Sequence, residues 1–411
     1  MPMRFLFLFL PAVALGATVH TDFEGGSLGR VEKLSETHFR LGVNGEKDQD
    51  GRNRQASWYY FRVDNAGKGE LTLDMVDLPG EYNYLPNRGA ITDVTPPVIS
   101  YDQRDWQPIN TLAYDSAEAK LTLRITPRQS RFWIAHVPPY TARELQSLRD
   151  YAVRRPDFHE QIIGKTLAGR NLVLWTVAAQ PATAKPTVWL MFRQHSWEAG
   201  SSWAGEGAIR ALLRDDAAAH RLRESIIWKI FPLCDPDGVA RGGVRFNANG
   251  YDLNRNWDVT NPQEMPEITA QREAVRAWIR DGHTIALYFS LHNTETGEYL
   301  EGPPQDGGEG KFKPLAERFF KILSTETTFA PTTPLRFAGA TTTPGMPGRM
   351  TVVQGLYRDF KIPAFLMEQR ISLNPKLGHV PGIPDRIKFG SELVEAIAKA
   401  VTQERAVAGA R

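Results

Sequence analysis

The sequence predicts an α/β domain, a mixed sheet covered by helices, preceded by a smaller antiparallel β-sandwich domain. Three observations carry this reading. Up to about Trp133 the apolar residues fall in short alternating or β-rich runs separated by polar turns. After Phe158, strand-like apolar runs alternate with longer helical ones, and the residues able to do chemistry sit at the edges of the strand-like runs. Finally, 411 residues, 42% of them hydrophobic and 10 of them tryptophan, suffice for one large core and a second small one. The expected divisions are 1–17 for a leader, 18–148 for the β-domain and 149–411 for the α/β domain.

The first residues read as a signal peptide. Arg4 supplies positive charge, Phe5 to Leu10 an apolar core ended by Pro11, and Ala12-Val-Ala14-Leu-Gly16-Ala17 small residues for cleavage. This predicts an exported protein, periplasmic or secreted. The run is too short to span a bilayer and no later segment resembles a span, so no stable membrane insertion is expected. Cys234 is the only cysteine, so no internal disulfide can form. With 49 basic and 47 acidic residues, net charge +2 and no long basic run, no nucleic-acid partner is expected. The sequence leaves the oligomeric state open.

In the β-domain the strand candidates are His38-Phe-Arg-Leu-Gly42, Ser57-Trp-Tyr-Tyr-Phe-Arg-Val63, Glu70-Leu-Thr-Leu73 and Lys120-Leu-Thr-Leu-Arg-Ile125. Trp58, Tyr59, Tyr60, Trp106, Trp133 and Tyr140 are expected to pack a core in preference to forming a binding face, because strand aromatics usually do. Pro138-Pro139-Tyr140-Thr141 ends this region, and a helical stretch from Arg143 to Arg149 leads on. In the α/β domain the expected strands are Leu172 to Val177, Thr187 to Arg193, Ile226 to Pro232, Thr284 to Leu291 and Ala364 to Glu368. The expected helices are Ser202 to Leu213, Glu264 to Arg280, Pro314 to Ser324 and Ile387 to Val401. Gly302 to Gly310 and Ala330 to Gly348 read as surface loops placed to rim a cleft.

His195-Ser-Trp-Glu198 offers two donors three residues apart after one strand, and His292 a third after another. Two histidines and a carboxylate are the donors of a hydrolytic zinc site, which keeps one position for water. Glu368 closes an apolar strand, where a carboxylate is costly to bury without a cation or proton-transfer role. The stretch from Cys234 to Trp257 is dense in polar groups, and two of its arginines with one asparagine, Arg245, Arg255 and Asn254, suit a clamp for a carboxylate.

Taken together, Arg193-Gln-His195-Ser-Trp-Glu198, Pro232-x-x-Asp-Pro-Asp-Gly-Val, Gly250-x-Asp252-Leu-Asn254-Arg255-x-Trp257, Leu291-His292 and Glu368 resemble the zinc metallocarboxypeptidases of the carboxypeptidase A clan. The resemblance runs from about Tyr151 to the end. The preceding region, with Trp58-Tyr-Tyr-Phe-Arg-Val63 and Ile134-Ala-His-Val-Pro-Pro-Tyr-Thr141, resembles the N-terminal β-domain of the cytosolic-carboxypeptidase subfamily. It implies one zinc per chain held by His195, Glu198 and His292, and Glu368 as general base and acid. Arg245 would stabilise the oxyanion, Asn254 and Arg255 would hold the substrate's terminal carboxylate, and Asp252 would orient a ligating histidine. The implied substrate is a peptide or protein C-terminus. The specificity pocket is expected within Ala338 to Tyr357, with Arg349 selecting an acidic side chain, and no tyrosine is assigned over the substrate tail. Two other readings stand beside this one. Asn293-Thr-Glu-Thr296 is similar to the related aspartoacylase-like deacylases and suggests a zinc amidohydrolase acting on a small acylated amino acid or a peptidoglycan stem peptide; the other is an inactive peptide-binding module.

Overall fold

The computed structural model describes residues 16–51, 53–82, 85–87, 91–179, 185–305, 310–339 and 349–408. The expected leader, apart from Gly16 and Ala17, lies outside them. Two five-stranded sheets and a small four-stranded one, Glu46–Lys47, Arg54–Gln55, Gly80–Tyr82 and Leu85–Asn87, form the first unit. Of the larger two, one runs in the order Thr18–His20, Tyr60–Asp64, Phe132–Ala135, Val98–Ser100, Gln107–Pro108; the other Leu112–Asp115, Lys120–Ile125, Leu71–Val76, His38–Gly42, Val31–Ser35. Alternate side chains meet between them, Tyr59, Phe61, Val63, Phe132 and Ile134 from the first against Phe39, Leu41, Leu73, Met75, Leu121 and Leu123 from the second. Pairing is not antiparallel throughout. His38–Gly42 lies parallel to Leu71–Val76, because the chain crosses to the other sheet at Tyr60–Asp64 between them.

The segment around Tyr60 is buried on both faces. Trp58 and Tyr60 point away from the sandwich core into a second apolar cluster, with Val98, Ala135 and, from the following unit, Trp197, Val244 and Ile371. Trp58, Tyr59, Tyr60 and Tyr140 are all buried, as expected of core aromatics, while Trp106 and Trp133 pack at the rim of that cluster. The aromatic stripe is thus the seam between the two units.

The helix Ala142–Ala152 opens the second unit, started by a capping box between Thr141 and Glu144. Its eight-stranded sheet runs Phe158–Lys165, Asn171–Val177, Ile227–Phe231, Thr187–Phe192, Ile285–Thr294, Ala364–Arg370, Tyr299–Gly302, Arg336–Phe337. The central pairs are parallel, and antiparallel pairs join them on either side. Every residue of Thr187–Phe192 and Ile227–Phe231 is buried, as parallel strands covered on both faces must be. Ala199–Leu213, Lys313–Glu326 and Ile383–Ala408 pack on one face. Pro266–Arg280 and Val352–Phe360 pack on the other.

Two features depart from the sequence reading. His292 and Glu368 lie within their strands, which run on to Thr294 and Arg370, because the polar residues at these ends still pair in register, His292 with Glu368 and Thr294 with Arg370. The short strands Tyr299–Gly302 and Arg336–Phe337 extend the sheet at or inside segments whose composition reads as loop. Residues 306–309 and 340–348 of those segments lie outside the described ones.

Candidate active site

Three strand ends and one loop build the site. After Thr187–Phe192 the chain turns sharply at Arg193, which is buried in a left-handed conformation (φ 58°) that a non-glycine residue adopts only under constraint. The constraint is visible: its Nε donates to Ser196 O at 2.8 Å, and its backbone N–H donates to Ser201 Oγ at 3.1 Å. The turn delivers His195 and Glu198 to the sheet end. Glu198 is the N-cap of Ala199–Leu213, yet its carboxylate makes no cap bond and faces the histidines instead. Asn293 supplies the missing cap, accepting from Ser201 N at 2.8 Å while donating to Gln369 O at 3.0 Å. The residue that suggested a deacylase therefore links helix to strands.

His195 Nδ1 lies 2.7 Å from Glu198 Oε1, and His292 Nδ1 lies 3.0 Å from Glu198 Oε2. One donor atom from each of the three falls within 4.8 Å of the others, and all three residues are buried. The opposite ring nitrogens are fixed by hydrogen bonds: His195 Nε2 to Asp252 Oδ1 at 3.1 Å, His292 Nε2 to Ser290 Oγ at 3.0 Å. With those nitrogens protonated, both Nδ1 lone pairs are left to converge with the Glu198 carboxylate, an arrangement that suits a bound cation. Glu198 Oε2 and His292 Nδ1 are also buried without a hydrogen-bond partner among the described residues. The donor set, nitrogen and oxygen with no sulfur, fits one zinc ion. Burial opposes the charge on Glu198, but the two histidines outweigh it and hold its carboxyl below the usual range. Burial pushes His292 down, whereas the Glu198 and Asp252 carboxylates overcome burial at His195 and raise it.

The loop following Pro236–Arg241 brings Asp252 back beside Arg245 through a two-residue bridge between Phe246 and Asp252. Asp252 accepts from Arg245 Nε at 2.7 Å, from Asn254 N at 2.8 Å and from His195. Burial alone would raise this carboxyl; Arg245 and His195 keep it well below the ordinary range. Asn254 Oδ1 accepts from Val352 N at 3.0 Å, tying the loop to the start of Val352–Phe360.

Glu368 stands opposite His292 on one side and Tyr299 on the other, so the three side chains share one sheet face. Ser290, Leu366 and Glu301 form the next row on that face. Burial raises the Glu368 carboxyl well above the usual range, Glu198 adds to this, and Arg245 pulls the other way. His195, Arg245, Asn254, Arg255, Tyr299, Glu301, Thr351, Gln354, Leu366 and Glu368 are among the residues lining one pocket of about 400 Å³. Eight of the sequence-derived candidates thus converge, His195, Arg245, Asn254, Arg255 and Glu368 on the wall, and Glu198, His292 and Asp252 behind it. Arg349 is not in that lining, and the charged side chain there beyond the candidates is a carboxylate, Glu301. Ser290, Tyr299, Glu301 and Gln354 escaped the sequence reading; the Ser290-x-His292 alternation was the one available signal, since i and i+2 of a strand share a face.

Residues 144–301 match the family described as zinc carboxypeptidase, and residues 19–137 match the cytosolic carboxypeptidase N-terminal domain. Cytosolic carboxypeptidase 6 of Caenorhabditis elegans is 28% identical over 287 residues, covering 66% of this chain and 61% of that protein. The human protein of the same name is 25% identical over 291 residues, covering 67% and 56%. The chain thus spans about three fifths of the length of these curated relatives. The fold is shared with a metallo-carboxypeptidase from Burkholderia cenocepacia, at a TM-score of 0.79 and 20% identity over 95% of this chain and 100% of that one. A Pseudomonas aeruginosa metallo-carboxypeptidase, solved with (2-guanidinoethylmercapto)succinic acid, gives a TM-score of 0.79 and 22% identity over 94% and 99%.

These relatives correct the expectation of export. The homologues are named cytosolic carboxypeptidases and the N-terminal match is to the domain of that family, which overturns the expectation of a periplasmic or secreted protein. A short apolar run with one arginine is a weak signal against similarity spanning both domains. Among the described residues no helix is long and apolar enough to cross a membrane.

Proposed function

We propose that this chain, which joins a zinc carboxypeptidase domain to a cytosolic-carboxypeptidase N-terminal domain, removes the C-terminal residue of peptides or proteins by hydrolysis. One observation carries the reading: a buried His195, Glu198 and His292 donor set opens onto a pocket walled by Arg245, Asn254, Arg255 and Glu368. His195, Glu198 and His292 would hold the zinc, which when bound supplies Lewis acidity to activate water and polarise a carbonyl.

The rest is the work of the chain. Arg255 and Asn254 hold the terminal carboxylate, which confines cleavage to the last peptide bond. Arg245, aimed by Asp252, donates to the carbonyl oxygen as negative charge develops there. Glu368 takes a proton from the attacking water and delivers it to the leaving amine, a role its raised pKa favours. Asp252 couples the two halves, holding the ring of one zinc donor and the guanidinium of Arg245 with the same carboxylate.

Beyond the clamp, the pocket wall carries Tyr299, Thr351, Gln354 and Leu366, with Glu301 as its charged side chain. Burial holds the Glu301 carboxyl above its ordinary range, and Arg255 acts against that. Glu301 lies one row, about 7 Å along the strands, from Glu368, the reach of an extended lysine or arginine side chain. A basic terminal residue is therefore favoured over an acidic one.

Zinc-loaded protein should be incubated with peptides differing in their last residue, and the products weighed. Stepwise loss of one residue, fastest for lysine or arginine, is the expected result. Internal fragments, or release of an acyl group with intact peptides, would instead favour an amidohydrolase, and binding without cleavage a recognition module.

A further inference from the structure

The loop that carries Arg245 is gripped from the other domain. Glu46, in the short strand Glu46–Lys47 of the β-domain, accepts three consecutive backbone N–H groups on Oε2: Val244 at 3.0 Å, Arg245 at 2.6 Å and Phe246 at 2.8 Å. Its Oε1 pairs with the Arg241 guanidinium, which also donates to the Phe246 carbonyl. Hydrogen bonds to an ionised acceptor are the strong kind, and three on one oxygen fix both position and direction of the backbone.

Two further turns of the β-domain flank this grip. Gly25 N donates to Ala240 O and Gln49 N to Gly250 O, each at 3.1 Å. Gly242 and Gly250 are left-handed (φ 69° and 84°), and a Cβ at either would collide with Gly26 O or with Gln49 N. Trp58 and Tyr60 pack from the same side on Val244 and on Trp197, which lies between the zinc donors His195 and Glu198. Within the catalytic unit the loop has the bridge Phe246 to Asp252, and its carbonyls are held by Trp197 N on Val244 O at 2.9 Å and by Arg241 on Phe246 O, whereas the N–H groups of residues 244–246 are taken by Glu46.

We infer that Glu46 is a positioning residue of the active site, through which the β-domain holds the backbone of residues 244–246 and thereby the Arg245 guanidinium where the oxyanion forms. The inference rests on the carboxypeptidase reading for its catalytic consequence, while the grip itself stands on the geometry alone. A displacement of about 1 Å at such a donor costs on the order of 10²-fold in rate.

The test uses the full chain, zinc-loaded, with Glu46→Gln and Glu46→Ala. Hydrogen exchange of the 244–246 amides reads the grip without turnover. It should speed up at least about tenfold in Glu46→Ala and less in Glu46→Gln, which keeps one acceptor oxygen. Unchanged protection in both variants overturns the inference, whether or not any peptide is cleaved. On a peptide that the wild type cleaves, kcat should fall about 10- to 100-fold in Glu46→Ala while KM and zinc content stay near wild type, since the carboxylate clamp and zinc donors do not touch Glu46. Combined with Arg245→Ala, Glu46→Ala should cause no further loss; independent, multiplying losses would overturn action through Arg245. If Glu46→Ala fails to fold, Glu46→Gln carries both readouts. A wild type that cleaves no peptide counts against the carboxypeptidase reading, and the exchange result still decides the grip.

Discussion

In the proposed reaction Glu368 concentrates the proton transfers in one carboxyl group, and its surroundings set the pH at which it would act. Burial beside Glu198 raises its pKa, so the ionised form required of a base appears only at a higher pH than for an ordinary carboxylate. Activity should therefore fall as pH is lowered through that raised pKa, with metal content measured at each point because acid also releases zinc from histidines. A rate that stays flat down to about pH 4.5, near the ordinary glutamate value, would contradict the assignment. Replacing Glu368 with Gln should leave one zinc per chain by metal analysis while lowering kcat by about 10²- to 10⁴-fold. His292→Ala should lose the metal, since it removes one of three converging donors. Glu301→Gln should shrink the preference for a basic terminal residue and leave a peptide ending in alanine almost unaffected; an equal loss on both would mean that Glu301 acts on Arg255 instead. At this level residue types and order were readable in advance. His195, Glu198 and His292 are recognisable by donor chemistry, whereas Ser290, Tyr299 and Glu301 are ordinary strand residues until the register sets them beside Glu368.

Helix packing behind the zinc donors depends on side chains being absent. Ala199–Leu213, which begins at Glu198, lies against Ile383–Ala408 so closely that a methyl at Gly207 would overlap the Ile387 carbonyl and one at Gly390 the Ala204 carbonyl. Gly207→Ala gains about 1 kcal/mol of helix propensity but forces two helices apart, which costs typically 1–3 kcal/mol or more. The clash should win, so chemical denaturation of Gly207→Ala should show a net loss of up to about 2 kcal/mol. A stabilised variant would show that the helices can slide. The long helices were evident from their apolar spacing, with ends displaced by a few residues. Arg336–Phe337 and Tyr299–Gly302 were not, because strands of two and four residues in segments rich in glycine, proline and threonine owe their existence to an available sheet edge.

The two domains fold around a common seam, and His136 lies in it. The ring stacks between Tyr59 and Trp197, its Nδ1 hydrogen-bonds Ser57 O at 2.6 Å, and its Nε2 is buried without a partner among the described residues. Burial lowers its pKa to about 4, against 6.5 when unfolded. Between those values the unfolded chain binds the extra proton, so stability rises with pH across the window and is lost as pH falls from about 6.5 towards 4. The full effect is on the order of 3 kcal/mol. Comparing His136→Gln with wild type by denaturation at pH 7 and pH 5 should show a smaller acid loss in the variant; equal losses would place the acid sensitivity elsewhere. By itself the sequence determined the two fold classes, the core aromatics and the donor set, and it offered Arg245, Asn254 and Arg255 as a clamp, because periodicity and donor chemistry are local properties of the chain. Only the tertiary structure decided that His292 and Glu368 stand in register, that Glu301 faces the pocket, and that Trp58, Tyr60 and Glu46 are pressed against the Arg245 loop. Those contacts join residues up to 200 positions apart, and nothing in local sequence encodes which distant backbone a carboxylate will meet.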